Sequence, residues 1–225
     1  MPACECLRTL DGIGAGGLAM SAKFTPRASN RPQSDPDSRA QAPPRQGADS
    51  FQVIGPSLCI LQLNVEGLSA AKRSALQEIA EQHKVDIICL QETHVDKDIS
   101  SRFTINGFSL LSYHLHPKFG RATYIKNSLA GATASQHNDL WDACKLDQFS
   151  IINVYKPPSI DWTDSNLPTS LSSPTIYVGD FNSHHNDWGY ESCDENGNKL
   201  ALWAVPNDLA LIHDAKQPGS FQRLF

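Results

Sequence analysis

The chain has 225 residues, enough for one domain with a sizeable core and a tail. It is 40% hydrophobic and carries 19 Lys and Arg against 24 Asp and Glu, for a formal net charge of −5. Residues 1–57 hold six of the basic and five of the acidic residues, which leaves 13 basic and 19 acidic residues for the rest. This balance excludes a generally basic surface, so polyanion binding has to depend on a local patch or on bound cations.

The first 57 residues lack the composition of a folded segment. Residues 23–57 are rich in Pro, Arg, Ser, Gln and Asp, and bury too little apolar surface to offset the entropy of the chain. We therefore predict a disordered N-terminal tail over residues 1–57 and a folded domain over residues 58–225.

An α/β unit is predicted at the start of the folded domain. Residues 58–64 and 86–92 are short apolar runs typical of buried strands. Between them, Ser69 is suited to cap a helix that runs to about His83. The residues expected on its buried stripe are Ala71, Ala75, Leu76 and Ile79. A strand–helix–strand order favours an α/β arrangement.

Strands dominate the prediction for the middle of the chain. Four are expected at 107–113, 121–126, 141–146 and 149–155, and their short spacing predicts an antiparallel meander. A further strand is predicted over 175–178. A helix over 198–205, with Leu200 and Trp203 facing inward and Pro206 ending it, and a strand over 209–212 complete the expected elements.

Acid and amide side chains follow three of the predicted strands: Asn64, Glu92 and the pair Asp180 and Asn182. Residues i and i+2 of an extended segment share a face, so Asp180 and Asn182 can reach one ligand. Strand ends of an α/β sheet are where ligand sites gather. Glu92 is a ligand of the kind that Mg²⁺ prefers, and Asp180 could orient or deprotonate a water.

These residues predict metal-assisted attack of water on a phosphodiester. In that scheme Asn64 and Asn182 donate hydrogen bonds to phosphoryl oxygens, and the phenol of Tyr155 lies at the same rim. Simpler interpretations exist: Asp180 and Asn182 are also common in polar turns, and a strand Tyr often only packs. His184 and His185 are adjacent and lack the spacing of a zinc site, which favours a surface loop.

Four motifs in order carry a family resemblance: LNVEG (63–67), CLQET (89–93), NVYKPP (153–158) and GDFN (179–182). They resemble the successive motifs of the endonuclease/exonuclease/phosphatase superfamily. The segment GRATY (120–124) and the stretch 184–197 are similar to the apurinic-type endonuclease domains of non-LTR retrotransposons.

The resemblance implies an α/β (α+β) fold in which a β-sandwich is flanked by helices, four layers in all. It also implies a DNA endonuclease that uses Mg²⁺, or Mn²⁺ in its place. Carried over by motif, Glu92 binds the metal, Asn64 contacts phosphate or the catalytic acid, and Tyr155 contacts the scissile phosphate. Asp180 positions the nucleophilic water, and Asn182 stabilises the charged transition state.

The superfamily pattern continues with a late Asp and a Ser-Asp-His motif that this sequence lacks. We therefore expect a domain that is incomplete at the C-terminus. Two alternatives to an active endonuclease stay open: a non-catalytic relic that at most binds metal or nucleic acid, and a hydrolase of a phosphorylated small molecule or lipid.

Cysteine usage and hydropathy bear on the compartment. The six cysteines show neither disulfide nor zinc spacing, which fits reduced thiols inside the cell. No stretch has the pattern of a signal peptide or a bilayer-spanning helix. We expect an intracellular monomer with DNA as its partner, without a membrane or protein partner, and located in the nucleus if DNA is the substrate.

Overall fold

The computed structural model describes residues 18–22, 58–97, 103–129, 131–147, 149–169 and 174–211. These residues form two mixed β-sheets and two α-helices. The strands are β1 (Leu18–Ala22), β2 (Ile60–Asn64), β3 (Ile87–Gln91), β4 (Phe108–His114), β5 (Arg121–Lys126), β6 (Thr133–His137), β7 (Trp141–Lys145), β8 (Ser150–Tyr155), β9 (Thr175–Asp180) and β10 (Leu209–Leu211); the helices are α1 (Ala70–Gln82) and α2 (Glu195–Ala204). The smaller sheet has the order β2-β3-β5-β4, and the larger one β10-β1-β9-β8-β7-β6.

The opening strand–helix–strand unit is confirmed. β2 and β3 are parallel neighbours, with Asn64 opposite Gln91 at their ends. The Ser69 side chain accepts a hydrogen bond from the Lys72 backbone N–H, as expected of an N-cap. The predicted buried stripe of α1 is partly wrong, because Leu76 and Ala80 are buried whereas Ala71 and Ala75 are exposed.

The predicted meander is wrong in its connectivity. All four strands exist close to their predicted bounds, but β4 and β5 belong to the smaller sheet and β7 and β8 to the larger one. A fifth strand, β6, lies between the two pairs and pairs with β7. Every residue of β6 is exposed, so its sequence carries no alternation of apolar and polar residues that could reveal it.

Alternating side chains of the buried strands build three apolar layers. In β3, Ile88 and Leu90 face α1 and pack with its Leu76, while Ile87 and Cys89 face the other sheet. In the larger sheet, Ile151 and Val178 meet Ile87 between the sheets. The residues that alternate with them, among them Ile152, Val154 and Tyr177, pack with Leu200 of α2. The order of layers is thus helix, sheet, sheet, helix.

The second helix begins earlier than predicted. Asp194 caps it by accepting a hydrogen bond from the Gly197 backbone N–H, so three further residues belong to the helix. Gly197 fits there because a Cβ at this position would lie 1.8 Å from the His184 carbonyl oxygen. Leu200 is fully buried as predicted, and Trp203 is partly buried with its ring edge against Tyr177.

One segment of the predicted disordered tail forms a strand. β1 pairs antiparallel with both β9 and β10, so the backbone hydrogen bonds of residues 18–22 are made within the larger sheet. Disorder was predicted from the composition of residues 23–57, and this short segment precedes that region. The remainder of residues 1–57 lies outside the described residues, and the domain boundary at 57 stays a prediction.

The described helices have 13 and 10 residues. Neither is long and apolar enough to cross a membrane.

Candidate active site

The carboxyl ends of β2, β3 and β9 bring three of the predicted site residues together across the two sheets. The side-chain nitrogen of Asn64 lies 2.8 Å from Glu92 Oε1 and 3.4 Å from Asp180 Oδ2. Asn64 and Asp180 are 116 positions apart in the chain. The amide of Asn64 therefore bridges two carboxylates that arrive from different sheets.

Tyr155 and Asn182 join the same cluster. The Tyr155 hydroxyl donates to Glu92 Oε1 at 2.8 Å, and β8 places Tyr155 directly opposite Asp180 of β9. The backbone N–H of Asn182 donates to Asp180 Oδ1 at 3.1 Å, and its side-chain nitrogen donates to the Lys156 carbonyl at 2.8 Å. One of the two side-chain N–H groups of Asn182 is thus used within the protein, and the other has no partner among the described residues.

Three residues of the site have a left-handed backbone. Glu92 and His94 each have a φ of 53°, and Asn182 has a φ of 43°. Residues other than glycine rarely adopt this region, and each such residue costs on the order of 1–3 kcal/mol. The surrounding backbone offsets that cost around Glu92, whose carbonyl accepts from the Gly67 N–H at 2.7 Å. The next peptide is held as well, since the Thr93 carbonyl accepts from the Leu68 N–H at 2.8 Å.

The charge state of Asp180 is set by burial. Its side chain is almost enclosed, with the residue 7% exposed, and desolvation raises its pKa to about 6. The negative charge of Glu92 acts in the same direction, whereas hydrogen bonds from Asn182 and Asn64 lower the pKa. Burial and the bond to Glu92 also raise the pKa of Tyr155, which keeps the phenol protonated as a donor. Asp180 therefore keeps its proton to a higher pH than an exposed aspartate does.

The two carboxylates form a site that fits a hard cation. Glu92 Oε1 already accepts two hydrogen bonds, while Oε2 lies 3.7 Å from His94 Nε2. Among the described residues, no Lys or Arg lies within ion-pair distance of Glu92 or Asp180. The same part of the chain holds no cluster of three or more His, Cys, Asp or Glu residues suited to enclose a metal. Mg²⁺ commonly takes one or two carboxylates and keeps several waters, so this pair suits it.

Other residues of the site were not identified from the sequence. His94 is not among the predicted site residues, yet its Nε2 lies 3.7 Å from Glu92 Oε2. Lys156 is 1% exposed and donates through Nζ to the Ile160 carbonyl at 2.8 Å. The i+2 spacing from Glu92 to His94 and the position of Lys156 after Tyr155 are signals that could have marked both.

A buried amide network behind the site was also missed. The Gln91 side-chain nitrogen donates to Asn153 Oδ1 at 2.6 Å and so links the two sheets. Gln62 donates to the Gln91 side chain at 2.6 Å. These hydrogen-bonded amides hold the two sheets together behind the strand ends that carry the carboxylates.

The adjacent histidines lie in the loop after β9. His184 stacks on Tyr190 with ring centroids 4.3 Å apart, and its Nδ1 lies 3.9 Å from Asp194. His185 caps the short 3₁₀ turn Asn186–Trp188 by accepting from the Asp187 backbone N–H. Both imidazoles thus have local roles in the loop, in line with the surface-loop interpretation.

Comparison with known proteins gives a family and a fold. A family model described as the Endonuclease/Exonuclease/phosphatase family matches residues 61–223. The AP endonuclease LMAP from Leishmania major is similar in structure, with a TM-score of 0.50 and 18% identity, over 66% of this chain and 66% of that one. This chain thus spans just under two thirds of the length of that enzyme.

Two further structures show weaker similarity. The endonuclease domain of TRAS1, a telomere-specific non-LTR retrotransposon, has a TM-score of 0.48 and 16% identity, over 66% of this chain and 71% of that one. An AP endonuclease from Archaeoglobus fulgidus has a TM-score of 0.46 and 15% identity, over 65% of this chain and 69% of that one. The similarity to LMAP, at 18% identity, concerns the fold alone.

Proposed function

The chain belongs to the endonuclease/exonuclease/phosphatase family, and we propose that it is a Mg²⁺-dependent phosphodiesterase domain that hydrolyses DNA. The observation that carries this proposal is that the carboxylates of Glu92 and Asp180, which come from different sheets, both contact the side-chain amide of Asn64. Two carboxylates that share a site repel each other, and a divalent cation relieves that repulsion. The family typically uses Mg²⁺.

In this proposal Glu92 would hold the metal. Asn64 and Tyr155 fix the orientation of its carboxylate, because both donate to Oε1. A bound Mg²⁺ would supply Lewis-acid polarisation of a phosphoryl oxygen and charge neutralisation at the phosphate.

The side chains of this chain would handle the nucleophile and the phosphate. Asp180, with a pKa of about 6, is a carboxylate at neutral pH that can accept a proton from an attacking water. Water attacks phosphorus, the bond from phosphorus to the leaving oxygen breaks, and the products are a phosphomonoester and an alcohol. The remaining N–H of the Asn182 amide would donate to a phosphoryl oxygen as charge builds up there.

The substrate assignment rests on sequence motifs. GRATY (120–124) and the stretch 184–197 resemble retrotransposon endonuclease domains, so we propose DNA in place of a phosphorylated small molecule or lipid. Nuclear residence follows as a prediction from a DNA substrate.

A plasmid-nicking assay tests the proposal. The wild-type chain should convert supercoiled DNA to the nicked form with Mg²⁺ and lose this activity in EDTA. Asp180→Asn should lower the rate by roughly 10²–10⁴-fold, the typical contribution of a general base. Asp187→Asn is a matched control, since its carboxylate is 82% exposed in the neighbouring loop. A folded wild-type chain without nicking would support the non-catalytic relic, and nicking that survives in Asp180→Asn would contradict the assigned site.

A further inference from the structure

A cleft of about 580 Å³ lies beside the carboxylates and is not used in the hydrolysis described above. Its lining includes His114, His116, Phe119, Asp139, Pro157 and Ile160. The Phe119 ring is 5.8 Å from the ring of Tyr155, whose hydroxyl contacts Glu92. The ring of Tyr155 therefore lies between the cleft residue Phe119 and the candidate metal ligand Glu92.

We propose that this cleft binds a nucleobase of the nucleic-acid strand whose phosphate lies at Glu92. This inference rests on the proposed function, because it takes the occupant to be part of the same substrate. It goes beyond that function by assigning a second site, which recognises a base and not a phosphate.

The chemistry of the lining favours a base. Phe119 and His116 are stacked with ring centroids 4.6 Å apart and an interplanar angle of 15°, which forms an aromatic platform. Ile160 adds an apolar side chain at the rim, 41% exposed. Aromatic platforms of this kind stack bases of any sequence, since every base has a π-face.

Hydrogen-bond donors and acceptors both line the same cleft. His116 Nδ1 accepts from the backbone N–H groups of Lys118 and Phe119, so Nε2 carries the proton and can donate. Asp139 also lines the cleft, and its carboxylate is an acceptor. Base edges present both acceptors and donors, and this combination suits them.

Charge argues against a phosphate in the cleft. The described residues that line it include neither Lys nor Arg, while Asp139 adds a negative charge. Burial, and then the nearby guanidinium of Arg121, lower the pKa of His114, so this imidazole adds no positive charge at neutral pH. Arg121 itself is occupied by Asp142 and by two backbone carbonyls.

The cleft is tied to the active site by the backbone. On one side, the Phe119 and Gly120 carbonyls accept from the His94 and Thr93 N–H groups, directly after Glu92. Gly120 has a φ of 108°, and a Cβ there would lie 2.7 Å from Thr93 Oγ1. This loop is thereby held in one conformation relative to the metal ligand.

A second part of the cleft lining is held in place by hydrogen bonds of Tyr155 and the residue after it. The buried Nζ of Lys156 donates to the Ile160 carbonyl, and the Ile160 N–H donates to the Pro157 carbonyl at 3.0 Å. The Leu140 carbonyl in the lining accepts from the Tyr155 N–H at 2.8 Å. A base in the cleft would therefore be positioned relative to both Tyr155 and Glu92, as a site for a flanking nucleotide requires.

Two single strands with the same phosphates test the proposal: a short oligodeoxyadenylate and a base-free strand of equal length built from tetrahydrofuran residues. Fluorescence anisotropy measures their affinity for the full wild-type chain, with Ca²⁺ in place of Mg²⁺. We expect the strand with bases to bind roughly 5- to 150-fold more tightly, the range for stacking of one base. Phe119→Ala should remove this preference, and Phe119→Trp should keep it.

Tyr113→Ala is the matched control, since Tyr113 is an exposed aromatic residue one position before His114 and outside the cleft. It should leave the preference unchanged. Equal affinity for both strands, or none for either, overturns the inference without any variant, so a Phe119→Ala chain that fails to fold does not obscure the result. A preference that persists in folded Phe119→Ala also overturns it. Base-dependent binding without nicking by the wild type would reject the proposed function and leave the cleft assignment standing.

Discussion

Replacement of Asp180 by Asn should stabilise the folded chain at neutral pH while it removes catalysis. The pKa of this carboxyl rises from an ordinary 3.8 to about 6 on folding, mainly through burial. At about 1.4 kcal/mol for each tenfold change in the equilibrium, this rise corresponds to about 3 kcal/mol. An Asn at position 180 keeps the acceptor oxygen for the Asn182 backbone N–H, but its amide nitrogen then faces the amide nitrogen of Asn64. The 3.4 Å hydrogen bond from Asn64 is therefore lost, at a cost of about 1 kcal/mol. The net gain should be about 2 kcal/mol.

The sign of the pH dependence follows from proton binding. The pKa of Asp180 is higher in the folded chain than in the unfolded chain, so the folded chain binds more protons between about pH 4 and pH 6. The stability contributed by this carboxyl is fully present below about pH 4 and is lost as the pH rises through 6. The advantage of Asp180→Asn should therefore be absent near pH 4 and complete near pH 7.

Urea unfolding in EDTA across this pH range measures the effect. Asp142→Asn is a control with the opposite sign, because Asp142 pairs with the buried Arg121 at 2.8 Å and its loss leaves an uncompensated charge, at a cost of about 3–5 kcal/mol. Addition of Mg²⁺ should stabilise the wild type more than Asp180→Asn and so reduce the difference between them. An Asp180→Asn chain that is no more stable than wild type at pH 7, or a difference that does not change with pH, would refute the reasoning.

Three further substitutions test the surroundings of the site. Tyr155→Phe removes the hydroxyl that orients Glu92 and should weaken Mg²⁺ binding roughly 10- to 100-fold. The measurement is the Mg²⁺ concentration needed to raise the melting temperature. An unchanged concentration would count against the orienting role of Tyr155. Gly179→Ala should destabilise the fold by about 3 kcal/mol or more, because the φ of Gly179 is +144° and a Cβ would lie 1.9 Å from the Val154 carbonyl oxygen. A melting temperature equal to that of wild type would contradict the close approach of β8 and β9. Leu200→Ala should cost about 2–5 kcal/mol in urea unfolding, because this side chain is fully buried between α2 and the larger sheet, and a cost below about 1 kcal/mol would show that α2 packs differently.

The local elements of the site could be predicted from the sequence. The apolar runs that become β2, β3 and β9 are continuous because both faces of these strands are buried, and each run ends at a polar residue. Ser69 has the side chain of an N-cap, which fixes the start of α1. These signals depend on neighbours within a few positions. The order of the four motifs also indicated the family.

The partition of strands between sheets could not be predicted in this way. β5 and β7 are both short strands of mixed apolar and polar residues, yet one pairs with β3 and the other with β8. β6 is exposed along its whole length and pairs with β7 through backbone hydrogen bonds. β1 likewise depends on β9 and β10, which lie more than a hundred residues away. Backbone pairing between distant segments leaves no periodic trace in the sequence.

The sequence by itself determined which side chains stand at the strand ends: Asn64, Glu92, Tyr155, Asp180 and Asn182. Only the tertiary structure decided that they meet, since the packing of one sheet on the other places Asp180 against the amide that also holds Glu92. It decided the protonation of Asp180 as well, because a pKa depends on burial and on charges that arrive from other parts of the chain. The cleft beside Phe119 has the same origin, since its walls come from three separate loops that fold against one another.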